Sequence, residues 1–525
     1  MSGMGIPAGP DDGTTMTGAE HGTPIRPNDG GAGPPEPGVP SPALGPEVQP
    51  ELLSIAAEGL GGRSRDRKRV VIVGAGMAGL VAAFELARQG HEPVILEAQN
   101  RVGGRVYTLR NFAPGLYAEA GAMRIPRIHA LTLEYCKLFG LEVRPFVMDN
   151  PRAPVYLAGR RMTFEQLDRE PDLIPFELSP SERGRTFADL WAEAIREVRA
   201  FYDRAGEDAH AILGRDYDRV SIRDFLKGRG FSEGAIELYG IMSYREANMG
   251  ASVVELLREI VGHAFEDMQE IAGGMDQLPH AFYDRLRRYV RLGAHVTAIE
   301  QDREQVTVHY RTASGVYSQT GDYCICTIPF GVLRHLDFTP PLSKGKYRAI
   351  RSLNYNPSTK ILLQVRSRFW EKEGGTGGAT PTDLPIRRIV YPSHSPADDE
   401  RGVLLASYTW GQDAARWGAL SPDDRIALAL KDVAKIHPQV REHFEGGASH
   451  AWYSDPYAVG AFALFEPGQE STLQPDIVKP EGRVHFAGEH CSLWHAWIQG
   501  ALESGIRAAT AIHEIPAAVA SRSPR

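Results

Sequence analysis

The chain has 525 residues, enough for two or three domains around a large buried core. Its 58 Lys and Arg against 66 Asp and Glu leave a formal net charge of -8, which argues against nucleic acid or an anionic membrane as an obligatory partner. Four cysteines do not make a disulfide framework, no stretch is long and apolar enough to span a bilayer, and no secretory leader is visible, so a cytoplasmic protein is expected.

Met1 to Gln49 is rich in Gly, Pro, Asp and Thr and nearly free of large apolar residues. Such a segment cannot bury enough surface to offset its ordering entropy, so residues 1–49 read as a disordered extension. From Pro50 to Leu60 the pattern changes. Leu52, Leu53, Ile55, Ala56 and Leu60 suit a short amphipathic helix docked on the body.

Lys68 to Arg105 organises the rest of the chain. Val70 to Val73 form a short apolar run, the pattern of a strand buried on both faces. Gly74, Gly76 and Gly79 make a G-x-G-x-x-G turn, and Leu80, Ala83, Phe84 and Ala87 recur at helical spacing until Gly90. Val94 to Leu96 read as a second strand, closed by Glu97. The first glycine permits the tight turn, the second lets backbone approach a pyrophosphate, and the third lets helix and strand pack closely. Amides at the helix start then face the phosphates, and Glu97, roughly twenty residues on, is placed to accept from ribose hydroxyls. This context predicts dinucleotide binding. The βαβ unit leaves NAD and FAD open, whereas Arg101, Gly103, Gly104 and Arg105 add a second glycine pair suited to a further approach on phosphate or flavin.

Leu131, Tyr135, Leu138 and Phe139 mark the next helix, ended by Gly140; ahead of it, Gly121-Ala122-Met123-Arg124 is compact enough for backbone to pass close to a ligand while Arg124 projects. Helical periodicity dominates from about Thr163 to Ala272, a helical insertion whose charges are mostly solvated faces. Short strands are expected around Val296–Glu300, Gln305–Tyr310 and Tyr323–Thr327, with Val306 and Val308 on one face, and Cys324 and Cys326 reading as buried small hydrophobes. STKILLQV is a strand with Lys360 near its start, Arg388–Pro392 and Val403–Thr409 suggest further strands, and Asp423–Ile436 another helix. The last segment gives a strand, a Gly488-Glu489 turn, an aromatic loop and a helix from Ile498. His485, His490 and His495 are too scattered to read as one metal ligand set, and no metal is expected.

In their order, VVIVGAGMAGL with VILEAQNRVGGR, AEAGAMRIP, EIAGGMDQLP, STKILLQVRSRFW, DPYAVGAF and HFAGEHCSLWHAWIQGALESGIRAA resemble the FAD-dependent L-amino acid oxidases of the flavin monoamine oxidase group, from about Pro50 to Ile512. The resemblance implies a mixed α/β fold with noncontiguous parts: a Rossmann-like FAD domain (66–106, 273–352, 480–515), a mixed-sheet substrate domain (50–62, 107–163, 353–479) and a helical domain (164–272), with 516–525 a tail.

Residue roles come from the same resemblance. Arg124 matches an arginine gripping the substrate carboxylate, which suits a guanidinium fork. Tyr391 matches a tyrosine supporting that carboxylate, and Lys360 a lysine holding a water near the flavin N5. Trp497 matches an aromatic wall beside the isoalloxazine, with the Ala496 backbone open to the substrate amine and Phe462 in the side-chain pocket. Expected cofactor contacts are Gly74, Gly76, Met77, Ala78, Gly79, Glu97, Ala98, Arg105, Gly121, Ala122, Met123, Arg124, Val296, Gly488, Glu489, Trp497 and Ile498.

Departures from the family pattern matter too. Ala496 stands where a glycine is common, which should narrow the site. His263 falls at the wrong spacing for the helical-domain histidine some members use as base or gate. No cysteine lies in Tyr453–Gly468, so FAD is expected to be noncovalent. The implied activity is oxidation of an L-amino acid, aromatic or large and apolar, by dioxygen, in a homodimer. An amino acid monooxygenase, an amine or polyamine oxidase, and a flavin-bearing binding protein are the alternatives.

Overall fold

The computed structural model of the protein describes residues 50–61, 66–205, 209–395 and 399–516, so the expected disorder of 1–49 and most of the tail lie outside the described residues. The first apolar run forms the strand Arg69–Val73 at the centre of a five-stranded sheet. Glu92–Leu96 and then Val290–Arg291 lie on one side of it, Tyr323–Cys326 and then Val484–Phe486 on the other, all parallel. Val70, Val71 and Ile72 are fully buried, because both faces of this sheet are covered.

On one face the helix Met77–Arg88 packs against the last helix, Ile498–Glu514. The two approach so closely that a Cβ on Gly505 would lie 2.5 Å from the Ala78 carbonyl oxygen. The helix Pro50–Glu58 docks nearby by burying Leu52, Ile55 and Ala56 in the same core. On the other face a four-stranded sheet turns Ile299, Val306 and Val308 inward against Val71, Val73, Cys324 and Cys326. All four cysteines are buried thiols.

A second five-stranded sheet is antiparallel, in the order Ala379–Pro381, Arg388–Val390, Gly402–Trp410, Ser358–Val365, Phe444–Ala451. One face packs Ile361, Leu363, Ile389, Tyr391 and Leu404 beneath the helix Pro422–Ile436. The opposite face carries Leu362, Val390 and Leu405 against Met123. The amphipathic runs of the middle segment fold as helices, among them Phe187–Ala205, Ile222–Gly228, Glu233–Met242 and Val253–Val261. Their apolar stripes meet in a core of their own around Phe225, Leu226, Tyr239 and Leu257. Among the described residues, no helix is long and apolar enough to cross a membrane.

The edge strand Phe444–Ala451 is not predicted by its sequence pattern. FEGGASHA lacks the alternation of a half-buried strand. Gly447 is small because the Leu362 carbonyl and Ile426 lie against it, 2.7 Å and 3.0 Å from where a Cβ would sit.

Candidate active site

A cavity of about 570 Å³ opens where the parallel sheet, the antiparallel sheet and the helical segment meet. Its first end is built by the glycine turn. Gly74 has φ +103, Gly76 caps the helix Met77–Arg88, and a Cβ on Gly76 would project into open space. The helix therefore starts with free amides beside room for a ligand. Gly79 lies beneath the turn and not on the cavity, since its Cβ would fall 2.1 Å from the Gly74 carbonyl oxygen. Its contribution is close packing rather than contact.

Glu97 reaches the same end from the second strand. Its carboxylate accepts from the Ala75 amide (2.7 Å) and the Gln99 amide (2.8 Å), which fixes its orientation at the cavity wall. Burial raises its pKa, those amides opposing the shift. Ala98, Arg105 and Val296 line the cavity as well.

Further along, Gly488 (φ +141) and Glu489 border the middle of the cavity. Glu489 accepts from Arg105 Nη1 at 2.7 Å and from the amides of Ala463 and Ala496, each at 3.2 Å. Burial alone would raise its pKa, but Arg105 with His495 and His490 outweighs burial and holds it low. Glu489 thus ties three distant segments together as a fixed carboxylate.

The loop Gly121–Arg124 is held from below. Lys360 Nζ, on the antiparallel sheet, donates to the Gly121 carbonyl (2.7 Å) and the Glu119 carbonyl (3.2 Å), and lies 3.4 Å from the Met123 sulfur. Trp452 Nε1 donates to the Ala120 carbonyl at 2.8 Å. Gly121 admits no side chain, as its Cβ would sit 1.9 Å from the Arg105 carbonyl oxygen. Burial lowers the Lys360 pKa, Glu119 opposing and Arg124 and Arg388 reinforcing the shift; burial raises that of Glu119.

Arg124 projects from this loop onto the cavity beside Gly121, Ala122 and Met123. Its Nη1 is buried without a hydrogen-bond partner among the described residues. Burial lowers its pKa to about 10, and Arg388 adds to the effect. Arg388 is itself buried, its Nε without a hydrogen-bond partner among the described residues and its guanidinium 3.7 Å from the Tyr244 ring centroid. Three cations, Arg124, Arg388 and Lys360, therefore gather around one spot. Unpartnered buried guanidinium nitrogens call for an anion there.

Tyr391 does not line this cavity. It is fully buried in the core beneath the antiparallel sheet, its hydroxyl bonded to Thr380 Oγ1 (2.7 Å) and His437 Nε2 (2.6 Å). The reason is strand alternation: Arg388 and Val390 face the cavity side, so Ile389 and Tyr391 face away. The tyrosine of this sheet that lines the cavity is Tyr408, directly across from Lys360 in the ladder, with its ring centroid 4.8 Å from Lys360 Nζ.

The far wall comes from the last loop and the helical segment. Ala496, Trp497 and Ile498 line it, as does Phe462, set edge-on to Trp410 at 5.8 Å. Ala496 holds φ +67, a left-handed backbone that a glycine adopts freely. Trp494 packs edge-on to His129 and does not reach the cavity. The helix Val253–Val261 supplies Glu255 and Glu259, which differ from the solvated charges expected of this segment by facing the cavity. Glu259 accepts from Trp497 Nε1 at 2.7 Å. Two carboxylates four residues apart in VVELLREIV are the available signal in the sequence, as i and i+4 share a helix face.

Free helix-start amides, glycines that leave room, and a fixed acidic residue at the second strand's end suit a flavin dinucleotide, the residues Gly74, Gly76, Met77, Ala78 and Glu97 being placed to hold it. Comparison with known proteins agrees. The family of flavin containing amine oxidoreductases matches residues 77–513. YobN of Bacillus subtilis (strain 168) is 41% identical over 473 residues, 89% of this chain and 98% of that protein. An L-amino-acid oxidase of Siganus canaliculatus is 37% identical over 471 residues, covering 88% of each chain. In fold, the chain is similar to cyclohexylamine oxidase from Brevibacterium oxydans IH-35A, with a TM-score of 0.69 at 22% identity over 86% of this chain and 99% of that one. It is likewise similar to a putrescine oxidase variant, with a TM-score of 0.70 over 85% and 98%. The chain belongs to the flavin containing amine oxidoreductases, and FAD is its cofactor.

Proposed function

We propose that the protein is an L-amino acid oxidase, converting an L-amino acid, dioxygen and water to a 2-oxo acid, ammonia and hydrogen peroxide. One observation carries this reading: a buried guanidinium nitrogen, Arg124 Nη1, stands without a partner on the cavity wall, backed by Arg388 and Lys360. A simple amine would leave that charge uncompensated. A substrate carboxylate satisfies it with two parallel charge-assisted bonds. The names of the Siganus canaliculatus relative and of an L-amino-acid oxidase from Vipera ammodytes ammodytes, 36% identical over 466 residues, support the same substrate class.

Each side chain then has a task. Arg124 grips the carboxylate and the Tyr408 hydroxyl supports it, which fixes the α-carbon in the cavity. Positioning of this kind removes roughly 7–11 kcal/mol of barrier in favourable cases. Trp497 closes one wall and the Ala496 carbonyl is open to the amine. Phe462, Trp410 and Phe265 offer apolar surface to the side chain, which favours aromatic or large apolar L-amino acids. Lys360 keeps the Arg124 loop in place through the Gly121 and Glu119 carbonyls. Bound FAD supplies two-electron oxidation of the Cα–N bond, with dioxygen as the final acceptor.

The test is a peroxide assay across the L-amino acids, with D-enantiomers and simple amines beside them. Peroxide and a 2-oxo acid from L-amino acids alone are expected. Amines turned over in preference, or an amide with carbon dioxide as product, would replace this reading by an amine oxidase or a monooxygenase.

A further inference from the structure

Oxidation at the α-carbon needs the amine lone pair, yet an amino acid reaches the site at neutral pH as its ammonium form. Unless the amine arrives already deprotonated, a group in the cavity has to take that proton. Lys360 is already spent, since its Nζ donates to two carbonyls and to the Met123 sulfur, the three N–H bonds of its ammonium form. Glu97 is held by two amides at the opposite end, and Glu489 by Arg105 and two amides. Glu255 is engaged by His495 Nδ1 (2.9 Å) and the Phe465 amide (2.8 Å), and against burial it raises the His495 pKa.

Glu259 is the least engaged of these carboxylates. It lines the cavity and receives one full-length bond, 2.7 Å from Trp497 Nε1, while Arg245 Nη2 stands off at 3.5 Å. Arg124 lies near enough to interact with it. Both line the one cavity, so an α-amino acid whose carboxylate bonds Arg124 would carry its ammonium group into the neighbourhood of Glu259.

We propose that Glu259 is the catalytic base that receives the substrate ammonium proton, resting on the assignment of an L-amino acid as substrate. The N–H bond breaks, its electron pair stays on nitrogen as the lone pair, and the proton passes to a Glu259 carboxylate oxygen. No oxidant or further reactant enters this step. Its surroundings tune the group. Burial raises its pKa above the ordinary carboxylate range, Arg245, Trp497 and Arg124 oppose the shift, and Glu255 on the same helix adds to it. Tyr239 faces it from the helix Glu233–Met242. A base with a raised pKa accepts a proton more readily than an ordinary carboxylate does.

The experiment pairs kinetics with binding on the holoenzyme. Glu259→Gln keeps an acceptor for Trp497 but cannot take a proton. Anaerobic reduction by L-phenylalanine at pH 7 is expected to slow about 10²-fold or more. Its rate should then climb about tenfold per pH unit, because only amine already deprotonated in solution reacts. The wild-type rate should instead fall as pH drops through the raised Glu259 pKa, where the carboxyl is protonated. On dithionite-reduced holoenzyme, which cannot turn over, Glu259→Gln should weaken L-phenylalanine at least about tenfold and leave 3-phenylpropanoate, which lacks the amine, unchanged.

Wild-type rates and an unmoved pH profile in Glu259→Gln overturn the proposal while leaving the oxidase reading intact. A wild-type enzyme that binds neither ligand and oxidises no L-amino acid sinks both. Should Glu259→Gln lose its flavin, Glu259→Asp takes its place: its lower pH limb is expected to move with the new carboxyl, and an unmoved limb overturns the assignment.

Discussion

The two ends of the cavity are made in opposite ways. The dinucleotide end comes from one short stretch, Arg69 to Glu97, in which the strand, the turn, the helix and the closing acid are consecutive. The substrate end joins Arg124, Glu259, Lys360, Tyr408 and Trp497 from five separate elements. Backbone does the work at the first end: amides, glycines and a fixed carboxylate. At the second, charged side chains are buried against their hydration and need one another or a ligand. A change at the first end should act on cofactor retention, and a change at the second on substrate.

At the first end the division is tested by Gly79→Ala. The added carbon would sit 2.1 Å from the Gly74 carbonyl oxygen, and backbone must move to admit it. Overpacking of this kind costs about 1–3 kcal/mol, placed directly on the phosphate turn. Flavin retention is expected to weaken about 10- to 100-fold, read as flavin absorbance per protein after purification. A fully yellow Gly79→Ala enzyme would show that the turn has slack.

Arg124→Ala tests the other end. Removing one partner of a buried charged contact costs about 2–5 kcal/mol, so kcat/KM for L-amino acids should fall about 30- to 1000-fold with the flavin retained. Residual turnover of simple amines should be untouched, since they make no use of the cation. Equal losses on both substrate classes would mean that Arg124 holds the loop rather than the carboxylate.

Legibility divides along the same line. G-x-G-x-x-G and Glu97 can be placed from sequence because their geometry is local: strand, turn and helix fix one another within a few residues. Arg124, Lys360 and Trp497 can be located by resemblance, and each does border the cavity. Their company cannot be read. Glu259 looks like a solvated helix charge until Trp497, more than two hundred residues later, folds over it. Arg388 lies in a strand whose pairing partner, Gly402–Trp410, decides which of its faces meets the site.

Tyr391 and Tyr408 turn that point into a measurement. Tyr408 lies in the strand Gly402–Trp410 and Tyr391 just past the strand Arg388–Val390 of the same sheet, on opposite faces. Tyr408→Phe removes a hydroxyl from the cavity, worth about 1.5–3 kcal/mol if it bonds a charged carboxylate, so KM should rise about tenfold or more at unchanged stability. Tyr391→Phe leaves Thr380 and His437 short of a partner in a closed core and should lower stability by about 1–3 kcal/mol, with KM unmoved. Thermal unfolding and KM measured on both variants separate the faces; a KM effect from Tyr391→Phe would reverse the assignment.

The smallest effect belongs to Ala496→Gly. Ala496 holds φ +67, where a β-carbon costs roughly 1–2 kcal/mol, and its amide is held there by Glu489 at 3.2 Å. Glycine removes that strain but gains freedom in the unfolded chain worth about 0.4–1 kcal/mol. The two oppose each other, so the variant should be as stable as the wild type or more stable by up to about 1.5 kcal/mol, read as an unchanged or slightly raised Tm. An ordinary alanine in a relaxed loop would lose stability on the same change. A clear fall in Tm would mean that the methyl group contributes packing beside Trp497 that outweighs its strain, and that the substrate end is tighter than its exposed position suggests.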